Sequence, residues 1–214
     1  MWLMLMQNRE SEKMLVLGLT GQSGAGKGVF SAVALKNEKI AVLDTDKTAR
    51  EVVQKGQPCL EELTRCFSCE ILNDDGTLNR RKLASIAFCD ESKHCLLNKI
   101  THSYIMEKIE QWVKECEMQG KKCAVIDAPL LFESGADKLC DMTLGIIAPY
   151  EIRLERIMSR DGIDEKNAKI RLDSQPKDEF FIEKCTHILK NDASADEFEK
   201  KAQQFINDTL LSRI

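Results

Sequence analysis

The chain has 214 residues, of which 43% are hydrophobic and 31% charged, with a formal net charge of -4. That length fits one domain with room for subdomain insertions and a substantial core. The sequence pI near 5.6 argues against a nucleic-acid binder that works by bulk charge, and no apolar run approaches the length of a membrane span.

The first six residues, Met1 to Met6, are apolar but too short for the core of a signal peptide, and no basic residues precede them. Residues 1–13 read as an N-terminal extension of unassigned role, with Met14 as the alternative initiator. From Met14 an apolar run of strand length leads to Thr20. It enters Gly21-Gln22-Ser23-Gly24-Ala25-Gly26-Lys27-Gly28, and helix-compatible residues follow to Lys36. This is G-x-x-x-x-G-K in its required strand–turn–helix setting. Glycines at 21, 24 and 26 let backbone amides curl around a polyphosphate. The helix N-terminus favours the same anion, and Lys27 adds a mobile positive charge. The motif's last position departs from the pattern: Gly28 stands where a Ser or Thr hydroxyl would ligate magnesium.

A second buried strand is expected at Ile40–Asp44, and a helix opens near Thr48. Two carboxylates, Asp44 and Asp46, thus sit at the carboxyl end of a strand, the edge where open α/β sheets bind ligands. One of them is a natural helix N-cap. After Gly56-Gln-Pro58, the segment 56–119 shows helical periodicity and only weak strand signals, with a turn at Asn73–Gly76. It reads as a helical insertion of two to three helices that binds substrate. Cys123–Asp127 is a third strand that again ends in an acid, an arrangement like the one that holds magnesium through water in nucleotide-binding proteins. A fourth strand is expected over 141–147 and a helix over 151–160. Arg153, Arg156 and Arg160 share one face of that helix. With Gly162 and a further helix over 168–172 they read as a hinged, arginine-bearing lid over a triphosphate. His187–Leu189 is a short fifth strand, and Phe198, Ala202, Phe205, Ile206 and Leu210 form the core stripe of a final helix.

The nine cysteines, with no signal peptide, fit a reducing, cytoplasmic setting. Cys66-Phe-Ser-Cys69, with Cys89, His94, Cys95 and His102 downstream, raises a zinc site, but no second C-x-x-C supports it. Most of the cysteines are expected to pack as small hydrophobes.

In their order along the chain these motifs resemble the dephospho-coenzyme A kinase family over nearly the whole length from Met14 to the final helix. The resemblance rests on Gly18-Leu-Thr-Gly21 with Gly26-Lys27, Leu43-Asp-Thr-Asp46 with Ala49-Arg50 and Val52-Val53, and Asp75-Gly-Thr-Leu78 with Arg80 and Leu83. It continues through Leu97-Asn98 with Ile100, His102 and Ile105, Pro129-Leu-Leu-Phe-Glu133, Arg160-Asp161, Arg171 with Ser174-Gln175, and Asn191-Asp192.

The resemblance implies an α/β P-loop kinase core with a five-stranded parallel sheet flanked by helices. It divides a single kinase domain, residues 14–214, into a core (14–55, 120–149 and 176–214), a coenzyme-binding insertion (56–119) and a lid (150–175). It implies transfer of the ATP γ-phosphoryl group to the ribose 3′-hydroxyl of dephospho-CoA, with Mg2+ accompanying ATP. Residue by residue, Asp46 matches the catalytic base, Lys27 the phosphate lysine and Arg160 the lid arginine. ATP contacts fall on residues 21–28, Arg156 and Asn191, and acceptor contacts on Asp46, Arg50, His102 and Leu131. Asp127 is the expected metal-side carboxylate, acting through water. Ser103 replaces the family's usual proline after the histidine.

Expected partners are small molecules alone, without nucleic acid or membrane, and the chain is expected to be a monomer or a weak homo-oligomer. The alternatives carried forward are another P-loop kinase acting on a nucleoside or nucleotide, a nucleotide-binding module without catalysis because of Gly28, and a cysteine-bound zinc module.

Overall fold

The computed structural model describes residues 13–213; the N-terminal extension lies outside them except for Lys13. The first half of the chain supplies β1 (Leu15–Gly21), α1 (Lys27–Ala34), β2 (Ile40–Asp44), α2 (Thr45–Glu51), α3 (Pro58–Phe67), α4 (Arg80–Ala87) and α5 (Glu91–Met118). The second supplies β3 (Cys123–Asp127), β4 (Met142–Ile147), α6 (Tyr150–Asp161), α7 (Glu165–Asp173), α8 (Asp178–Lys184), β5 (His187–Lys190) and α9 (Ala195–Phe205).

The strands form one five-stranded sheet in the order β2-β3-β1-β4-β5. The pairs β1–β3, β1–β4 and β4–β5 are all parallel. Every residue of β1 and β4 is buried, as expected of central parallel strands covered on both faces, and this is why both read as unbroken apolar runs. The edge strands β2 and β5 are only partly buried. The chain leaves β1 for β2 on one side and later returns to β4 on the other. The order therefore reverses at β1, and its carboxyl end opens onto the crevice where such sheets take ligands.

The described residues divide into two compact units, Leu43–Trp112 and the remainder. In the sheet unit the core joins β1, β3 and β4 to α1 and α9 through Leu17, Leu19, Val125, Leu144, Phe30, Phe198 and Ala202. A smaller cluster of Leu154, Ile157, Ala168 and Leu172 packs α6 against α7. Gly162 ends α6 with φ 63°, the left-handed C-terminal stop that glycine adopts without strain. Asp164 then caps α7 through the Asn167 amide at 2.8 Å. The helical unit has its own core of Val52, Leu63, Phe67, Ile71, Leu83 and Ile100. This unit begins at Leu43 and so includes Asp44, Asp46 and Arg50. Its one β-bridge, Leu72 with Leu78, closes the turn expected at Asn73–Gly76, where Thr77 donates to Asp75.

All nine cysteines are free. Cys59, Cys116 and Cys123 are buried and Cys140 and Cys185 half-buried; burial pushes Cys123 and Cys140 up to about 12 and Cys59 and Cys185 up to about 11. These five behave as the inert hydrophobes expected. Cys66, Cys69, Cys89 and Cys95 do not, being exposed. Among the described residues no three His, Cys, Asp or Glu gather as a metal cage would require, and no helix is long and apolar enough to cross a membrane.

Candidate active site

The glycine-rich loop takes its shape from contacts a side chain would destroy. Gly26 is the N-cap of α1 at φ 113°, and a Cβ there would overlap the Asn191 amide nitrogen. Gly24, at φ 77°, lies against the backbone of Arg153, with a Cβ meeting its carbonyl oxygen at 2.9 Å. Only glycine satisfies both the dihedral and the space. The helix that follows has neither a capping side chain nor an acid in its first turn. An ordinary helix start neutralises its exposed amides with one or the other. Here neither offsets the positive end of the dipole beside Lys27, an arrangement that can take an anion. Lys27 Nζ donates to the Gly21 carbonyl at 2.9 Å, laying the lysine back over the loop.

Four side chains from later in the sequence brace this loop. Asn191, buried to 2% exposure, donates its amide to the Ala25 carbonyl at 2.8 Å. Arg156 donates from one nitrogen to the Gly24 carbonyl and from another to Asn191 Oδ1, both at 3.2 Å. Gln175 Oε1 accepts from the Ser23 amide at 2.9 Å. Arg160 Nη2 reaches Ser23 Oγ at 3.5 Å. From within the loop, Gln22 Nε2 reaches out to the Pro176 carbonyl at 2.8 Å.

The three arginines of α6 therefore do different things. Arg153 is not part of a lid surface. It is 5% exposed, its Nε donates to the Ala148 carbonyl, and its guanidinium lies 5.7 Å from the Tyr150 ring centre. Burial lowers its pKa against the pull of Asp178 and Tyr150. Arg156 is a loop brace. Arg160 is exposed and forms a two-pronged pair with Asp161 at 2.7 and 2.9 Å, while Arg171 Nη1 reaches the same carboxylate at 2.5 Å. The bond to Asp161 raises Arg160, and the same bond, aided by Arg171, holds Asp161 below the usual carboxylate range.

On the metal side, Asp127 closes β3 with Leu19 of β1 as its neighbour in register. Its Oδ2 accepts from Ser31 Oγ at 2.9 Å. Gly28 is exposed, and a Cβ there would touch nothing within 4 Å. One carboxylate beside a phosphate cradle suits magnesium, which keeps most of its waters and leans on nucleotide oxygens.

In the helical unit the ambiguity between the two acids of Leu43–Asp46 resolves. Asp44 is the N-cap of α2, accepting from the Asp46 and Lys47 amides at 3.0 and 3.2 Å. Asp46 is exposed on the first turn, four residues before Arg50 and so on the same face of α2. His102 is half-buried on α5. A cavity of about 240 Å³ in this unit is lined by Gln57, Cys59, Tyr104, Glu107 and Lys108, among others, and by neither Arg50 nor His102.

Two expected contacts change. Leu131 is fully buried, and its methyl groups cover Gly18, so the side chain belongs to the core and not to an acceptor surface. Asn191, expected as an ATP contact, is buried with its amide engaged by the Ala25 carbonyl and by Arg156, so what it touches is the loop itself. Sequence reasoning finds no role for Ser31 or Gln175: Gln175 is visible only within the Ser174-Gln175 pair, and Ser31 only as an ordinary helix residue.

The dephospho-CoA kinase family profile matches residues 15–197. The chain belongs to the dephospho-CoA kinase family. It is 37% identical over 193 residues to a dephospho-CoA kinase from Corynebacterium glutamicum, covering 90% of this chain and 98% of the relative. A solved dephospho-CoA kinase from Campylobacter jejuni superposes with a TM-score of 0.70 at 28% identity, over 93% of this chain and 98% of that one. The crystal structure of TT1252 from Thermus thermophilus gives 0.76, also at 28% identity, over 92% and 98%. The braced loop and Gly28 both lie within the residues that the family profile matches.

Proposed function

We propose that this chain uses ATP to phosphorylate the ribose 3′-hydroxyl of dephospho-CoA, yielding coenzyme A. The observation that carries the phosphate half of this reading is the uncapped start of α1 beside Lys27, held open by Asn191, Arg156 and Gln175. Phosphoryl transfer needs alignment and charge neutralisation more than covalent help from the protein. Lys27 and the loop amides hold the outer phosphates, and Arg160 balances charge that develops on the transferred group.

Asp46 accepts the 3′-hydroxyl proton. Its place in the Leu43–Asp46 motif supports this, as does the engagement of Asp44 in the helix cap. Magnesium, when bound, neutralises phosphate charge, and Asp127 would hold its water shell. Free thiols at every cysteine fit a cytoplasmic enzyme acting on small molecules.

The direct test is ADP release on addition of dephospho-CoA, with AMP, uridine and shikimate as rival acceptors. Release with dephospho-CoA alone supports the assignment; release only with a rival sinks it. Asp46→Asn should cut turnover by about 10²–10⁴-fold, the usual worth of a general base, with ATP affinity intact. Unchanged turnover would remove Asp46 from the role.

A further inference from the structure

The missing hydroxyl at Gly28 has a counterpart one turn away. Ser31 follows Gly28 by three residues and Lys27 by four on α1, so it shares the helix face that carries the end of the motif. Its Oγ crosses 96 positions of sequence to donate to Asp127 Oδ2. That carboxylate sits on the last residue of β3, whose backbone is locked in register beside β1 at Leu19. The hydrogen bond from Ser31 to one carboxylate oxygen restrains rotation about the Asp127 side-chain torsions. A hydroxyl at residue 28 would meet the metal directly from the neighbouring turn, but Gly28 has no side chain and no neighbour fills its space.

We propose that Ser31 is a positioning residue that holds Asp127 where the motif's own hydroxyl is missing, orienting the carboxylate toward the water shell of a magnesium–nucleotide. The proposal rests on the reading that this loop binds ATP with magnesium. It differs from a plain tie between α1 and β3 in one respect: the effect of losing Ser31 must depend on metal and must pass through Asp127. Hydrogen-bonding partners of direct metal ligands commonly change metal affinity by about 10–100-fold, and because Asp127 acts through water the lower end of that range applies to Ser31.

The experiment is a fluorescence titration of a non-hydrolysable ATP analogue against the full-length protein, with magnesium varied and with EDTA in a parallel series. Ser31→Ala should raise the half-saturating magnesium concentration about tenfold, leaving affinity in EDTA and the melting temperature as in the wild type. Ser31→Thr, which keeps the hydroxyl, should stay near the wild type. In an Asp127→Asn background the further change Ser31→Ala should add little, because the two act as one unit.

Three results overturn the proposal: an unchanged magnesium requirement in Ser31→Ala, an equal loss of affinity in EDTA, or a full tenfold effect that persists in Asp127→Asn. Phosphoryl transfer to dephospho-CoA, assayed on the same wild-type preparation, judges the activity separately. A protein that binds magnesium–nucleotide but transfers nothing overturns the assigned reaction and leaves the titration to decide Ser31.

Discussion

Asn191→Asp separates what this residue does from what its position does. The two side chains have nearly the same shape, but a carboxylate has no hydrogen to donate. The bond from Asn191 Nδ2 to the Ala25 carbonyl, 2.8 Å in the native protein, becomes an oxygen facing an oxygen at a site 2% exposed. Losing a buried bond and stranding its acceptor costs about 1–3 kcal/mol, and placing a charge at this depth adds to that. Arg156, already 3.2 Å from Asn191 Oδ1, offsets part of the charge term. The net expectation is a loss of about 2–3 kcal/mol.

The backbone bond from Asn191 N to the Ile147 carbonyl is untouched, so the sheet ladder should survive. Calorimetry should show a lower melting temperature, and nucleotide titration an affinity reduced by about tenfold or more, since each 1.4 kcal/mol that reaches the binding step is a factor of ten. If the variant melts within a degree of the wild type and binds nucleotide equally well, the buried amide does not organise the loop.

Gly28→Ser should be accommodated without strain, because its Cβ meets nothing within 4 Å, and should gain a few tenths of a kcal/mol from helix propensity. Turnover should then need less magnesium; an unchanged requirement would show the hydroxyl to be dispensable at this position. Asp161→Ala releases both Arg160 and Arg171. The network is exposed, so melting should hardly move, while kcat/KM for ATP should fall several-fold; an unaltered kcat/KM would detach Arg160 from the phosphates. Asp141 gives the acid limb. Burial pushes its carboxyl up, but hydrogen bonds from Lys13 and the Val16 amide more than reverse this and leave it below the ordinary value. A depressed folded pKa means the stabilisation is present above the unfolded value, near 4, and is lost as pH falls through the folded value. The melting temperature of Asp141→Asn should therefore fall less steeply below about pH 4 than that of the wild type.

How much was legible in the sequence depended on whether a signal was local. Cys123–Asp127 emerged with its limits intact because a central parallel strand is apolar along its whole length and stops where the acid meets solvent. The loop glycines were legible because positive φ admits little else. Arg153, Arg156 and Arg160 were grouped by spacing, and spacing cannot say how a helix is rotated on its support. Tyr150 and the Ala148 carbonyl draw Arg153 into the body, and that is a tertiary fact. Helix α8 went unannounced because seven residues behind Pro176, with no capping side chain, give too short a run for periodicity to register. Leu131 looked like an acceptor contact because its motif is shared with the family. The side chain that actually stands out of that motif is Leu130, at 56% exposure, while Leu131 fills the space that Gly18 leaves.

The same distinction explains why a departure at Gly28 can sit in an otherwise family-like site. The loop's shape does not depend on residue 28. It is enforced by glycines at 24 and 26 and by Asn191, Arg156 and Gln175, which arrive from far along the chain and touch backbone atoms that every sequence has. Lys27 and the helix dipole need no hydroxyl to attract an anion. What residue 28 would add is a refinement of metal geometry, and such a contribution can be moved along the helix without disturbing the cradle. Position 31 is the nearest place on the same face, and a serine stands there with its hydroxyl on the carboxylate concerned. Ser31 can thus serve the metal through Asp127 while direct ligation from residue 28 stays absent, which is why Gly28→Ser is still expected to lower the magnesium requirement.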